Sequence, residues 1–167
     1  MAKQEKSEKQ IAAPTYTQEE AVKASLAYFN GDELAASVFV GKYALRNAQG
    51  ELVEATPEDM HQRLAREFAR AESKYSNAMS YEEILGYFQN FKWIVPQGSP
   101  MSAIGNPYQV QSASNCYVIN PPLDSYSGIM YTDQQQAQLM KRRGGVGFDI
   151  SNIRPSGTSV KNAARTS

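Results

Sequence analysis

The sequence predicts an α/β protein in which a helical subdomain is followed by the first strands of a sheet. Two observations predict this class. Three of the four predicted helices before residue 92 begin with a helix-capping residue. After residue 93 the pattern changes to a polar loop and then to a strand, a helix and a second strand, which is how an α/β unit begins.

The first two predicted helices are separated by the breaker Asn30-Gly31-Asp32. Thr17 and Glu20 form a capping box, so a helix should begin there. The second helix contains a β-branched run, which weakens the helical pattern. We expect four of its side chains to be buried: Leu34, Val38, Tyr43 and Leu45.

Two further helices have strong start signals. Thr56-Pro57 supplies a cap and a first-turn proline, and this helix should extend to about Ser76. Ser80 and Glu83 form a second capping box, opening a helix that ends near Phe91. The face predicted to be buried in the third helix comprises Met60, Leu64, Phe68 and Ala71, and the single histidine, His61, is predicted to lie at the surface.

The sequence divides into three predicted parts. Residues 1–14 are mostly charged and polar and are predicted to be a disordered tail. Residues 15–92 form the helical subdomain, and residues 93–167 begin the α/β part. Within the last part we expect a long loop over 97–113, a buried strand over 115–119, a helix over 124–143 and a strand over 146–150.

Composition excludes several classes of protein. No apolar run approaches the roughly 18 residues of a membrane span, and the first residues do not form a secretory signal. One cysteine excludes an internal disulfide, and we infer a cytoplasmic protein.

The net charge of zero is unevenly distributed along the chain. Residues 1–140 hold 11 Lys/Arg and 16 Asp/Glu, whereas residues 141–167 hold 6 Lys/Arg and one Asp. The basic end suits an anionic partner, or it is simply a solvated face. The zero total argues against broad nucleic-acid binding.

Three groups of residues near the end could carry chemistry. Cys116 is either a functional thiol or a small buried apolar residue, and the polar Asn115 before it favours a cavity. Gly144-Gly145-Val146-Gly147 either lets the backbone approach a phosphate or makes a tight connection from helix to strand. Arg154 and Lys161 flank a hydroxyl-rich loop that could hold a triphosphate or be an ordinary surface loop.

In combination, residues 15–167 resemble the catalytic subunit of ribonucleotide reductase, the enzyme that makes deoxyribonucleotides for DNA replication. Each motif alone is weak, whereas their order and spacing are specific. The motifs are Gly31-Asp32-Glu33-Leu34-Ala35, Lys42-Tyr43-Ala44-Leu45, Thr56-Pro57-Glu58-Asp59-Met60, Ser99-Pro100, Ser114-Asn115-Cys116, Asp124-Ser125, Arg143-Gly144-Gly145-Val146-Gly147 and Arg154-Pro155-Ser156-Gly157.

The resemblance implies a fold and a set of site residues. The fold is a helical subdomain followed by the first strands of a ten-stranded α/β barrel, incomplete here. Cys116 matches one of two cysteines that donate electrons to the ribose and become a disulfide. The positions matching the substrate site are Ser99, Asn115, Gly144 and Gly145, although the family often has serine in place of Asn115. The positions matching the site for an allosteric dNTP or ATP effector are Asp124, Ser125, Arg154 and Lys161.

The chemistry that the resemblance implies is radical chemistry. A cysteinyl radical removes the 3′ hydrogen of the ribose, a carboxylate takes a proton, and the thiol pair supplies two electrons. An external dithiol such as thioredoxin then reduces the disulfide. The stretch from Gly144 to Ser151 looks more like the adenosylcobalamin-dependent class, and the class with a separate radical-generating metal subunit is the alternative. We expect no metal site in this chain.

The family's radical cysteine, catalytic carboxylate and second reducing cysteine would all follow residue 167. We therefore expect an N-terminal fragment, inactive alone, that needs a complementary C-terminal fragment. A split gene, an intein or intron, and a shortened chain would each explain this. The alternative function is a non-catalytic nucleotide-binding or regulatory module that retains the effector loop. Neither a membrane nor a nucleic acid is expected as a partner.

Overall fold

The computed structural model describes residues 14–160 and contains two compact units. The helical unit comprises the described residues up to Val95 together with Gly105–Tyr108. The sheet unit comprises Pro96–Ile104 and the described residues from Gln109 onward. The predicted tail, except for Pro14, lies outside the described residues, and so does Lys161.

The helical unit is built from four α-helices whose starts agree with the sequence. They are α1 Gln18–Tyr28, α2 Glu33–Lys42, α3 Pro57–Glu72 and α4 Tyr81–Phe88, and a 3₁₀ turn, Gln89–Phe91, follows α4. The caps are Thr17, Asp32, Thr56 and Ser80, each of which accepts a hydrogen bond from an N–H group in the first turn. Because capping satisfies donors that a helix leaves unpaired, these polar residues place the helix starts.

The burial predicted for the α2 region is wrong at Leu34 and confirmed at Leu45. Leu34 is 75% exposed, whereas the buried side chains of the helix are Ala36, Phe39 and Val40. Val38 and Tyr43 are half-buried, and Leu45, just after the helix, is buried as predicted. Since α2 is apolar on most of its circumference, its sequence does not indicate which side faces the core.

Helix α3 has a wider buried face than its sequence suggested. Met60 and Leu64 are fully buried as predicted, but Phe68 is partly exposed. His61, predicted at the surface, is fully buried and lies edge-to-face on Phe91, with ring centroids 4.6 Å apart. The turn after α4 thus covers a side of α3 that would otherwise face solvent.

A buried ion pair joins α3 to the segment before it. Arg63 Nε donates to Glu54 Oε1 at 2.6 Å, and both side chains are at least nine-tenths buried. Glu54 Oε2 also accepts the N–H of Leu45 at 2.9 Å. The Glu54 carboxylate therefore connects Leu45, just after α2, to Arg63 on α3.

The sheet unit contains the helix predicted over 124–143, here two to three residues shorter at each end, a short helix within the predicted long loop, and two three-residue strands. They are α5 Gly98–Ala103, β1 Cys116–Val118, α6 Tyr126–Met140 and β2 Gly145–Gly147, and β1 pairs with β2 in parallel. Helix α5 lies in the predicted loop and accommodates Pro100 in its first turn, where the missing N–H has no partner inside the helix. β1 is exposed rather than buried, with Val118 91% exposed, and β2 is shorter than predicted.

Hydropathy adds one observation about the described helices. None of those between residues 14 and 160 combines the length and apolar character that crossing a membrane requires.

Removing one partner of the buried ion pair should destabilise the helical unit. Arg63→Leu leaves Glu54 charged and buried, so the free energy of unfolding should fall by about 3–5 kcal/mol in denaturant titrations. Arg66→Leu is the matched control, because Arg66 is exposed on the same helix and has no ion pair among the described residues. The control should stay within about 0.5 kcal/mol of the parent chain. Equal effects of the two variants would contradict this role.

The buried histidine should make stability depend on pH. Burial lowers the pKa of His61 below its ordinary 6.5, while the charge of Glu58 acts in the opposite direction. As the pH falls below 6.5, His61 therefore binds a proton more readily in the unfolded chain than in the folded protein. The free energy of unfolding falls over this range. His61→Leu should lose less stability than the parent between about pH 7.5 and about pH 5.5 in denaturant titrations. Parallel losses in both proteins would refute the assignment.

Candidate functional site

The parallel pairing of β1 with β2 places the only cysteine beside the glycine cluster. Cys116 lies opposite Gly145 in the register, and Gly145 N–H donates to the carbonyl of Asn115 at 2.6 Å. A Cβ added to Gly145 would lie 3.6 Å from Cys116 Sγ and 3.3 Å from that carbonyl oxygen. The sulfur therefore lies against the backbone of the glycine turn.

Gly144 is required by packing. A Cβ at this position would come within 2.7 Å of the ring of Tyr117 and 3.2 Å of the carbonyl of Leu139. The N–H of Gly144 donates to that Leu139 carbonyl at 3.1 Å. Both glycine N–H groups thus have protein partners, so the glycines serve close approach rather than supplying free donors to a phosphate.

The thiol of Cys116 is exposed and free. Among the described residues, therefore, its side chain is not buried against apolar groups. Gly145, opposite Cys116, has no side chain, and this leaves room for a ligand to approach the exposed sulfur.

Ser99 and Asn115 lie together beside this turn. Asn115 Oδ1 accepts the N–H of Ser99 at 2.8 Å, and Asn115 Nδ2 donates to Gln97 Oε1. Ser99 is buried, and its Oγ donates a long hydrogen bond of 3.5 Å to the carbonyl of Arg143. A hydroxyl held by so long a bond is able to turn toward a ligand.

Arg143 is a residue of this site that the sequence reasoning included only as part of a motif. Its backbone adopts a φ of 69°, in the left-handed region, where the chain turns from α6 into the glycines. Its guanidinium donates to Ser102 Oγ on α5. The sequence signal that could have identified Arg143 as a site residue is its place directly before the double glycine.

The predicted effector residues form a separate group. Arg154 Nε lies 2.7 Å from Asp124 Oδ2, and Arg154 Nη2 donates to the Asp124 carbonyl at 3.1 Å. Hydrogen bonds from Arg154 hold the pKa of the Asp124 carboxyl below its ordinary value. Ser125 Oγ caps α6 by accepting the N–H of Gly128 at 3.0 Å. Asp124 and Arg154 therefore form an ion pair with each other, and neither is held apart as a separate contact for a ligand.

The structure therefore brings Ser99, Asn115, Cys116, Gly144 and Gly145 into one connected set of contacts. Asp124, Ser125 and Arg154 form the second group at the start of α6. Between residues 14 and 160, no three His, Cys, Asp or Glu side chains gather as ligands for a metal ion.

Comparisons with known proteins identify the family of both units. A family described as "Ribonucleotide reductase, all-alpha domain" matches residues 29–105, and one described as "Ribonucleotide reductase, barrel domain" matches residues 114–167. Two similar curated proteins are both named vitamin B12-dependent ribonucleoside-diphosphate reductase, from Mycobacterium tuberculosis strains CDC 1551 / Oshkosh and ATCC 25618 / H37Rv.

Each of these relatives is 30% identical to the chain over 135 residues, which is 79% of this chain. The aligned stretch is 19% of the first relative and 18% of the second, so the chain spans about a fifth of the length of the curated relatives it matches. These matches agree with a helical unit followed by a small open sheet of two strands. The chain belongs to the ribonucleotide reductase large-subunit family and corresponds to an N-terminal portion of the catalytic subunit.

Proposed function

We propose that the whole protein reduces ribonucleotides to deoxyribonucleotides by thiol-dependent radical chemistry, and that this chain supplies one reducing thiol and part of the substrate site. The observation that carries the proposal is the exposed Cys116 in register with Gly145. A reducing thiol must reach the ribose, and Gly145, the residue opposite this sulfur, has no side chain to block it.

The proposed reduction balances with a pair of thiols. The C2′–OH bond of the ribose breaks, the oxygen leaves as water, and a new C2′–H bond forms. Two thiols, Cys116 and a cysteine outside this chain, lose two electrons and two protons and become a disulfide. An external dithiol reverses that oxidation by exchange. Cys116 therefore has to be accessible twice in each cycle, which its exposure supports.

The residues around the thiol are proposed to hold the substrate. Ser99 Oγ, held only by a long bond to the Arg143 carbonyl, is the group we assign to a substrate phosphate. Gly144 and Gly145 are assigned to the substrate site because they let the turn pack closely against β1, which places the turn beside the Cys116 sulfur. Asn115 is part of the same set of contacts.

Adenosylcobalamin is the cofactor that we propose for the whole protein, because both relatives are named as vitamin B12-dependent. We assign no residue of this chain to the cofactor. It would supply the radical, and the residues that hold it would belong to the length of the relatives that this chain does not span.

A complementary polypeptide is the partner that we propose for this chain. Residues 15–92 would be its all-helical part, and residues 93–167 would begin a barrel that the partner completes. A free, exposed thiol that cycles with a disulfide fits a reducing compartment, so we propose a cytoplasmic location.

The effector group is proposed to bind a dNTP or ATP. Asp124 would accept hydrogen bonds from ribose hydroxyls, while Arg154 and Lys161 would meet phosphates. The pairing of Asp124 with Arg154 orients the guanidinium before a nucleotide arrives. A nucleotide that takes Arg154 would release the carboxylate, which is a differential contact of the kind that allosteric control needs.

Replacing the thiol should abolish turnover without unfolding the protein. Cys116→Ser, in the chain combined with its C-terminal complement, cofactor and a dithiol, should make no deoxyribonucleotide. The free energy of unfolding should change by less than about 0.5 kcal/mol because the side chain is exposed. Retained turnover with lost stability would refute the catalytic role. Nucleotide binding without turnover by the combined parent chain would instead support a regulatory module.

Replacing Arg154 should weaken effector binding. Isothermal titration of dATP or TTP into Arg154→Ala should show about ten- to a hundredfold weaker binding than into the parent, because a charge-assisted contact is lost. Arg66→Ala is a matched control, since it removes an exposed cation from the helical unit. Equal affinity in the parent and Arg154→Ala would remove Arg154 from the effector site.

A further inference from the structure

We infer that Asn115 is a positioning residue, and that with Gln97 it holds the start of α5, including Ser99, against the double-glycine turn. The positioning itself is inferred from hydrogen bonds in the structure, and its effect on the reaction rests on the proposed function. It replaces the expectation that Asn115 itself contacts the substrate, and it assigns a role to Gln97.

Both ends of the Asn115 side chain have protein partners. Its Oδ1 accepts the N–H of Ser99 at 2.8 Å, and its Nδ2 donates to the Oε1 of Gln97. These partners lie 16 and 18 residues earlier in the chain. Of the four hydrogen bonds that an Asn amide can make, one to its oxygen and one from its nitrogen thus serve the start of α5.

Helix α5 depends on this side chain for its cap. Gln97 stands at the N-cap position but makes no side-chain capping bond. The N–H of Ser99 is one of the donors that the first turn leaves without a partner inside the helix. Asn115, the residue directly before β1, supplies the acceptor, so the cap of α5 comes from a distant part of the sheet unit.

The backbone of Asn115 completes the connection. Its carbonyl accepts the N–H of Gly145 at 2.6 Å, which begins the pairing of β1 with β2. One residue therefore joins α5, the strand that carries Cys116 and the glycine turn. Removing its side chain breaks two of the hydrogen bonds that hold the α5 start, while the backbone pairing beside the sulfur stays in place.

The consequence for the reaction should appear mainly in substrate binding. Ser99 is the residue that we assign to a substrate phosphate, and it lies at the position that Asn115 and Gln97 hold. Cys116 is held by backbone pairing, which neither side chain provides. Loss of the side-chain contacts should therefore raise KM more than it lowers kcat.

A double-mutant cycle in the completed enzyme separates positioning from direct contact. Each of Asn115→Ala and Gln97→Ala should raise KM about three- to tenfold, the worth of one hydrogen bond, and the double variant should be no worse than Asn115→Ala. A substrate contact by Asn115 predicts instead that Gln97→Ala leaves KM unchanged, and that result would overturn the inference. Gln49→Ala is the matched control, since Gln49 is exposed and the structure describes no hydrogen bond of its side chain.

Hydrogen exchange in the 167-residue chain tests the same contacts without any activity. The Ser99 amide should exchange about three- to tenfold faster in Asn115→Ala than in the parent. Asn115→Asp should restore slow exchange, because the carboxylate still accepts from Ser99 and the Gln97 amide can turn to donate to it. Unchanged exchange in Asn115→Ala would overturn the inference. A completed parent enzyme that makes no product would overturn the proposed function and leave this exchange result standing.

Discussion

The close approach of β1 to the double-glycine turn is the constraint on which the candidate site depends. The contact is a parallel backbone pairing that begins with the N–H of Gly145 and the carbonyl of Asn115. It forms only because positions 144 and 145 carry no side chain: a Cβ at Gly144 would collide with Tyr117, and one at Gly145 would crowd the Asn115 carbonyl. With that approach in place, the sulfur of Cys116 lies beside the backbone of the turn, in the open.

Side-chain hydrogen bonds fix the position of α5 in the sheet unit, which the short strands alone do not determine. Each strand has only three residues, so backbone pairing alone orders a small part of the sheet unit. Asn115 reaches α5, and Arg143 reaches Ser102 on the same helix. These bonds tie the segment carrying Ser99 to the turn and give the site a definite shape. In the helical unit the Glu54–Arg63 pair plays a corresponding part, joining elements that apolar packing alone would leave less specifically arranged.

Local signals in the sequence were the reliable ones. The capping boxes at Thr17 and Ser80 and the Thr56-Pro57 start predicted helix starts correctly, because a capping side chain bonds to an N–H only two or three residues away. Burial was predicted less well. Leu34 and His61 were assigned to the wrong environments, since the side of a helix that becomes covered depends on which distant segment packs there. Helix α5 was missed because its cap comes from Asn115 rather than from its own first residues.

The sequence by itself determined the class of fold, the helix starts and the family, because caps, glycines and motif order are properties of neighbouring residues. It also singled out Cys116 and the glycine cluster. Only the tertiary structure decided that the glycine N–H groups already have partners, that Asp124 pairs with Arg154, and that the Asn115 amide is taken up by Gln97 and Ser99. Each of these facts joins atoms that are distant in sequence, or depends on what occupies the space around them. Such contacts exist only once the chain has folded.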